Sequence, residues 1–368
     1  MHVKVDTEGL QADGIGLSGT ASSSGGAPRC APAAADPVSV SVASALTQWS
    51  NALWALMEHA GRQREAGGMS LSATASHLGA IDDANAANIG NSLIGDASQS
   101  PLPSAPIPSS AASVPVPTLP AAPDMPAPPP LTGEQVSAMV HAGPGPDRLR
   151  AFAEQWRNTL APHMLSTADE TRRYGHSVEG NWDDGDPAAA RNVIEHADWL
   201  ESALHQHAMR LADSADQAAT HAESVIKNTP RPEDFQDIHT RLNAAVADYR
   251  ASGGLNPGPV IARRTELGQM QSTAVTGYQT YAAAAPVTTT GGAQPPPPAP
   301  PIVRGGPQAQ TLNPQNNHPN PAGHDGDRGE GDKHGKDAAG DTLEPSTADS
   351  GPPLGASGTP PVAAAQPP

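Results

Sequence analysis

Asp183, Asp184 and Asp186 bring three carboxylates together directly after Trp182, in the stretch EGNWDDGDPAAA. Carboxylates this close could bind a cation or share a proton in acid–base chemistry. Pro187 follows at once, however, and Asp before a first-turn proline is the sequence of a helix N-cap, where the acid accepts from unpaired amides and meets the positive end of the helix dipole. Capping accounts for these acids without a ligand. The chain's 14 histidines invite a metal site, yet His205 and His207 stand two positions apart, about 200° around a helix, and cannot grip one ion from a regular turn. His318, His324 and His334 fall in tail sequence expected to be flexible, and no H-E-x-x-H pair, EF-hand loop or thiolate cluster accompanies them. Cys30 is the single cysteine, which excludes an intramolecular disulfide framework. There is no G-x-S-x-G elbow, no glycine loop to cradle phosphate and no nucleophile–base spacing, so the residues point to a protein that is not an enzyme and needs no metal or cofactor. Trp182 itself stands out, because a large aromatic left in a polar turn forfeits roughly 1.5–3 kcal/mol of burial.

Composition limits what can position these residues. In 368 residues there are 41 prolines, 36 glycines and only 3% aromatic side chains, so much of the chain lacks the apolar area to offset chain entropy. The net charge of −17 disfavours nucleic acid, whose phosphates need clustered Lys and Arg, and weakens any attraction to acidic lipid. The opening MHVKVDTEGLQADGIGLSG has neither the basic segment nor the apolar stretch of a secretory leader, and no run of 18 apolar residues occurs. Export, if it occurs, uses neither an ordinary leader nor a membrane anchor. Four regions follow from composition: residues 1–97, Ala-rich and moderately apolar; 98–130, a Pro/Ala/Ser linker; 131–286, with helical periodicity; and 287–368, a Pro/Gly-rich acidic tail expected to be disordered, as is the linker.

The apolar spacing is helical throughout the two ordered regions. A short helix around VDTEGLQADGIGLSG turns Leu10 and Leu17 inward. Val42, Leu46, Trp49, Leu53, Leu56 and Ala60 step by four and three, and the same spacing reaches Arg64, Gly67, Leu71, Thr74 and Leu78 in one long helix, softened at Gly67–Gly68 by roughly 1 kcal/mol per glycine. Thr132 and Gln135 have capping-box spacing; Gly145-Pro146-Asp147 opens a helix carrying Leu149, Phe152, Trp156 and Leu160, with Pro162 a potential kink. After Pro187, a seam runs from Val193 through Ala197, Leu200, Leu204, Ala208, Leu211, Ala215, Ala218 and Ala222 to Val225. Thr229-Pro230 starts the next helix, Gly253-Gly254 ends it, and after Asn256-Pro257 a last helix presents Ile261, Arg264, Leu267, Gln271, Ala274, Tyr278 and Tyr281 on one face. The expected fold is all-α, an elongated antiparallel bundle in which an N-terminal hairpin docks lengthwise on the second region.

Trp182 and the stretch from Leu78 to Asp82 together resemble the composite export element of mycobacterial type VII (ESX) substrates: a W-x-G turn in a PPE-like unit, and a Y-x-x-x-D/E element after a PE-like hairpin. PDRLRAFAEQWRNTL, NWDDGDPAAA and PRPEDFQDIHTRL are similar to phrases of EspB-like PE–PPE fusions, and so is the order of hairpin, proline-rich linker, helical domain and tail. Leu78 occupies the position usually held by Tyr, and Gly185 falls one residue late, giving W-D-D-G. The resemblance implies that Trp182, Gly185, Leu78 and Asp82 form an export signal that exists only when both units dock. It also implies recognition by the ATPase of the secretion machinery, self-assembly into ring-like oligomers, contact with acidic lipid, trimming of the tail by a subtilisin-like mycosin protease, and a virulence-associated role at the cell surface or outside the cell after a cytoplasmic stage. A helical adaptor retained in the cell, assisting export of another substrate, is the alternative.

Overall fold

The computed structural model describes residues 4–20, 25–94, 130–183, 187–290 and 296–303. Among these, helices dominate: α1 (Thr7–Gly19), α2 (Pro37–Ile94), α3 (Gly133–Val140), α4 (Asp147–Gln155), α5 (Ala161–Asn181), α6 (Pro187–Trp199), α7 (His205–Asn228), α8 (Pro232–Ala251) and α9 (Gly258–Thr290). Two-residue strands β1 (Lys4–Val5) and β2 (Trp182–Asp183) pair antiparallel. Wide π turns, Trp156–Leu160 and Leu200–Leu204, join α4 to α5 and α6 to α7, making two long continuous rods. Pro162 sits just after the first of these, so the proline that could kink the rod stands where the helix has already changed pitch.

All ten seam positions from Val193 to Val225 are buried. Their mostly small side chains let α7 pack closely against α4, α9 and α2. Leu10 and Leu17 are completely buried on α1, which lies along α2. The expected weak point at Gly67–Gly68 is a close crossing instead. A Cβ on Gly68 would lie 2.3 Å from the Gly14 carbonyl oxygen, and one on Gly14 would lie 2.6 Å from that of Gly68. Missing side chains, rather than flexibility, are what α1 and α2 use here.

Two polar clusters tie the N-terminal hairpin to the second region. The buried Asp36 carboxylate caps α2, accepting from the Ser39 amide at 2.9 Å and the Ser39 hydroxyl at 2.6 Å. Tyr278 donates to Asp36 at 3.2 Å, and Tyr281 reaches the Ser39 hydroxyl at 2.9 Å, so the end of α9 is bonded to the start of α2. The second cluster surrounds Arg64, which is only 4% exposed. Its guanidinium donates to the Thr20 hydroxyl and carbonyl, both at 3.0 Å, and faces His196 Nε2 at 3.4 Å.

Several boundaries depart from the sequence expectations. The helix expected at Thr229-Pro230 begins at Pro232, because the carbonyls of Thr229 and Pro230 accept from His141 at 3.1 Å and Ser137 at 2.6 Å and hold that turn extended. Gly253 and Gly254 end α8 with φ of 69° and 85°, a region that glycine enters without strain. On α9 only Ala274, Tyr278 and Tyr281 of the expected face are buried, while Ile261 is 60% exposed. Beyond Ile238, α8 also carries no buried residue, so here the two helices mainly cover each other. The expected boundary at residue 286 falls within α9, which continues to Thr290. The linker expected over 98–130 lies outside the described residues except for Pro130.

The tail departs further from expectation. Residues 296–303, in the segment expected to be disordered, run extended beside α6, where Asn192 donates to the Ile302 carbonyl at 3.0 Å, His196 Nδ1 to that of Pro300 at 2.9 Å and Trp199 to that of Pro297 at 2.8 Å. A proline carbonyl can only accept, so the bonding assigns the His196 proton to Nδ1 and leaves Nε2 to accept from Arg64. Burial, then the neighbouring Arg64 charge, pushes His196 down to about 3, and burial lowers Arg64 to about 10.

Two stability predictions follow from this packing. Because His196 is depressed in the folded chain, the unfolded chain takes up its proton first as pH falls; the stability it contributes is complete above the ordinary value of 6.5 and is lost progressively towards about 3. Folding stability should therefore fall through that window, by about 1.4 kcal/mol per pH unit at the steepest, and the thermal midpoint should fall with it. His196→Asn, which keeps a donor for Pro300, should flatten the fall in calorimetry at matched ionic strength. Gly68→Ala should lower stability by about 1–3 kcal/mol in urea unfolding, since its methyl meets the Gly14 carbonyl and the Ser18 amide, backbone that cannot swing aside as the Ser18 hydroxyl can.

Candidate functional site

At Trp182 the chain leaves α5 with φ −126° and ψ 73° and pairs with the N-terminal strand, Val5 opposite Trp182 and Lys4 opposite Asp183. The Asp6 amide donates to the Asn181 carbonyl at 2.9 Å, extending this contact by one residue. Asp6 then caps α1, its carboxylate accepting from the Gly9 amide at 3.0 Å. The Asn181 side chain donates to Asp13 at 2.8 Å and lies so near Gly9 that a Cβ there would meet it at 2.7 Å. One turn of α5 is thus bonded at several points to the start of α1.

Beneath it lies a small core separate from the main one, made of Leu10 and Leu17 of α1, Leu71 and Ala75 of α2, Val178 of α5, Ala190 and Val193 of α6, and Ile302. Val5, Tyr174, Trp182 and Ala189 lie partly buried against it. Gly16 makes room for Tyr174, whose ring would be 2.4 Å from a Cβ at that position, and the Arg173 guanidinium stands 5.5 Å over the same ring. Trp182 is therefore half-buried: its apolar body closes a core built by both regions while part of it still faces water.

The other residues of the expected export signal lie on α2 or outside the described residues. Leu78 is half-buried three positions beyond Ala75, and Asp82 is exposed one turn further along the helix. Gly185, Asp184 and Asp186 lie outside the described residues, and so does the capping role expected of the acids; α6 begins at Pro187. His205 and His207 are both partly buried, with His207 lowered by burial and by Arg210. Among the described residues, no group of three or more His, Cys, Asp or Glu is placed to hold a metal ion. Cys30 is buried, its thiol pushed up to about 12, so at neutral pH it stays an unreactive thiol.

Sequence reasoning overlooked the row Asn192, His196 and Trp199. Their spacing puts three side-chain donors on one face of α6, and Pro296, Ala299 and Ile302, all buried, recur every third residue in the tail. Neither pattern belongs to the helix seam that the reading followed.

The model of the PPE family matches residues 128–291, covering α3 to α9. The chain carries a PPE family domain. Its described fold is EspB-like: EspB from the ESX-1 type VII secretion system superposes with a TM-score of 0.56 at 16% identity, covering 82% of this chain and 97% of that one. EspB of Mycobacterium marinum gives 0.50 at 14% identity, covering 81% and 96%. No curated protein sequence matches. The PPE domain supplies α5, Trp182 and α6, whereas α1, α2 and β1, which complete the small core, precede it in the chain.

Truncating Trp182 to Ala should cost about 2 kcal/mol, since a partly buried indole is lost over a core that cannot close. Asp82→Ala, on an exposed helix face, should stay within about 0.5 kcal/mol. Chemical denaturation of the two variants beside the wild type checks both.

Proposed function

We propose that this chain is a substrate of a type VII secretion system, exported folded, and that its export signal is the surface around Trp182. The observation that carries this reading is that residues from both regions of the chain make one local structure there, the Val5–Trp182 pair over the small core. A receptor reading that surface would accept only a chain whose hairpin and PPE domain have docked. The PPE domain and the EspB-like fold support the secretion pathway. The family export motif supports Leu78 and Asp82 as further elements of the signal, since both follow Ala75 along α2, and Gly185 as the glycine of the motif. No helix among the described residues is long and apolar enough to cross a membrane, in keeping with a substrate that travels through the machinery rather than staying in it.

The role after export is non-enzymatic and structural, with self-assembly through the long helices, and the secretion ATPase and a tail-cutting mycosin are the partners expected before and during passage. Export from a mycobacterial host tests the reading directly. Wild type and Asp82→Ala should accumulate normally in cells; wild type should appear in the culture medium, while Trp182→Ala and Asp82→Ala should fall at least tenfold there at equal cellular levels. Equal export of all three removes the composite signal. Strict retention of the wild type in a host with working secretion overturns the substrate reading in favour of an adaptor.

A further inference from the structure

The strand at 296–303 lies in a groove between α2 and α6 whose chemistry matches it position by position. Proline has no amide hydrogen, so a proline-rich strand offers carbonyl acceptors and must find donors elsewhere. Asn192, His196 and Trp199 supply three from successive turns of α6, to the carbonyls of Ile302, Pro300 and Pro297, so the strand runs antiparallel to the helix. Arg64, fixed by Thr20, backs His196 and keeps its Nδ1 proton aimed into the groove.

Side-chain burial follows the strand's own geometry. Pro296, Ala299 and Ile302 are buried, whereas Pro297, Pro298 and Pro301 are exposed. A repeat of three is that of a polyproline II helix, with one face on the protein. Ala299 enters the main core and Ile302 the small core beside α1. Gly67 forms the notch for Ile302, since a Cβ there would lie 2.5 Å from its Cγ2. Trp199, tilted against His196 with ring centroids 6.1 Å apart, lines the other end. Aromatic walls and side-chain donors aimed at the carbonyls of a preformed extended helix are how proline-rich ligands are recognised elsewhere.

We propose that the α2–α6 groove is a binding site for polyproline II strands with a small or apolar residue at every third position, and that its resident ligand is this chain's own 296–303. The strand joins α9 only through residues 291–295, and the three hydrogen bonds holding it to α6 come from side chains rather than from backbone pairing. It is thus a tethered ligand, kept in place by a high effective concentration, and the groove would take the same strand supplied in trans once the tethered copy is weakened.

The test uses the full chain and a fluorescent peptide of residues 294–304, QPPPPAPPIVR, followed by anisotropy. Ala299→Glu with Ile302→Asp should empty the groove, and the variant should bind the peptide at least tenfold more tightly than the wild type does. Adding Asn192→Ala to that variant should weaken binding at least fivefold, as should exchanging Pro301 and Ile302 in the peptide. Should the double variant lose helicity, a second form avoids the difficulty: wild type with twenty Gly/Ser residues inserted in 291–295. Loop entropy then lowers the tethered strand's effective concentration, and the peptide should bind about tenfold more tightly than to the uninserted chain. Unchanged peptide affinity in the inserted chain, or binding indifferent to residue order and to Asn192, would overturn the proposal.

Discussion

Arg64 takes a guanidinium into the interior of an otherwise apolar and small-residue bundle, and much of the surrounding arrangement follows from keeping that charge satisfied. An unpaired buried charge is prohibitive, so its donors need acceptors in fixed places. Two are on Thr20, which stops α1 and sets where the N-terminal hairpin turns over α2. The third is His196 Nε2, which can accept only while the ring is neutral. That requirement commits Nδ1 to donating outward, to the Pro300 carbonyl. One side chain on α2 therefore fixes the end of α1, the protonation of α6 and the register of the tail strand. None of these is an ordinary hydrophobic contact, and each would be worth little at the surface.

Around this node, much of the close packing is achieved by leaving atoms out. Gly14 and Gly68 bring α1 and α2 nearly to backbone contact, Gly67 admits Ile302, and the alanines of α7 admit α4 and α9. With so few aromatics, the core cannot rely on large side chains filling wide gaps, so the helices approach until small ones suffice. Such interfaces tolerate little enlargement and specify register well, which suits a fold that must dock two regions of one chain in a single alignment.

How much of this was legible depends on whether the signal was local. The seam from Val193 to Val225 is a property of one helix, and its spacing alone marks the buried face. The Thr132–Gln135 capping box and the paired glycines after α8 are local too, and they form as read. Gly67–Gly68 was misread as softness because its meaning lies in Gly14, more than fifty positions away. On α9, spacing marked a face but not how far a partner extends along it, so Ile261 is exposed. The tail strand was obscured for a different reason: proline-rich composition usually signals disorder, and its three-residue burial period means something only opposite a row of donors on α6. Trp182 was flagged by the oddity of its setting, and the pairing with Val5 that explains it could not be read from either strand, each being only two residues long.

Trp182 and the tail strand also meet through the small core. Ile302 is one of its eight buried residues, and Trp182 rests against the same group. Residues that share a core do not contribute independently, because removing one leaves its neighbours a cavity that the others partly fill. The floor on which Trp182 packs is thus completed by a residue from beyond the last helix, some 120 positions further along the chain than Trp182 itself. Docking of the N-terminal hairpin supplies Leu10, Leu17, Leu71 and Ala75; the PPE domain supplies Val178, Ala190 and Val193; the tail supplies Ile302. The outer face at Trp182 accordingly depends on three stretches of chain at once.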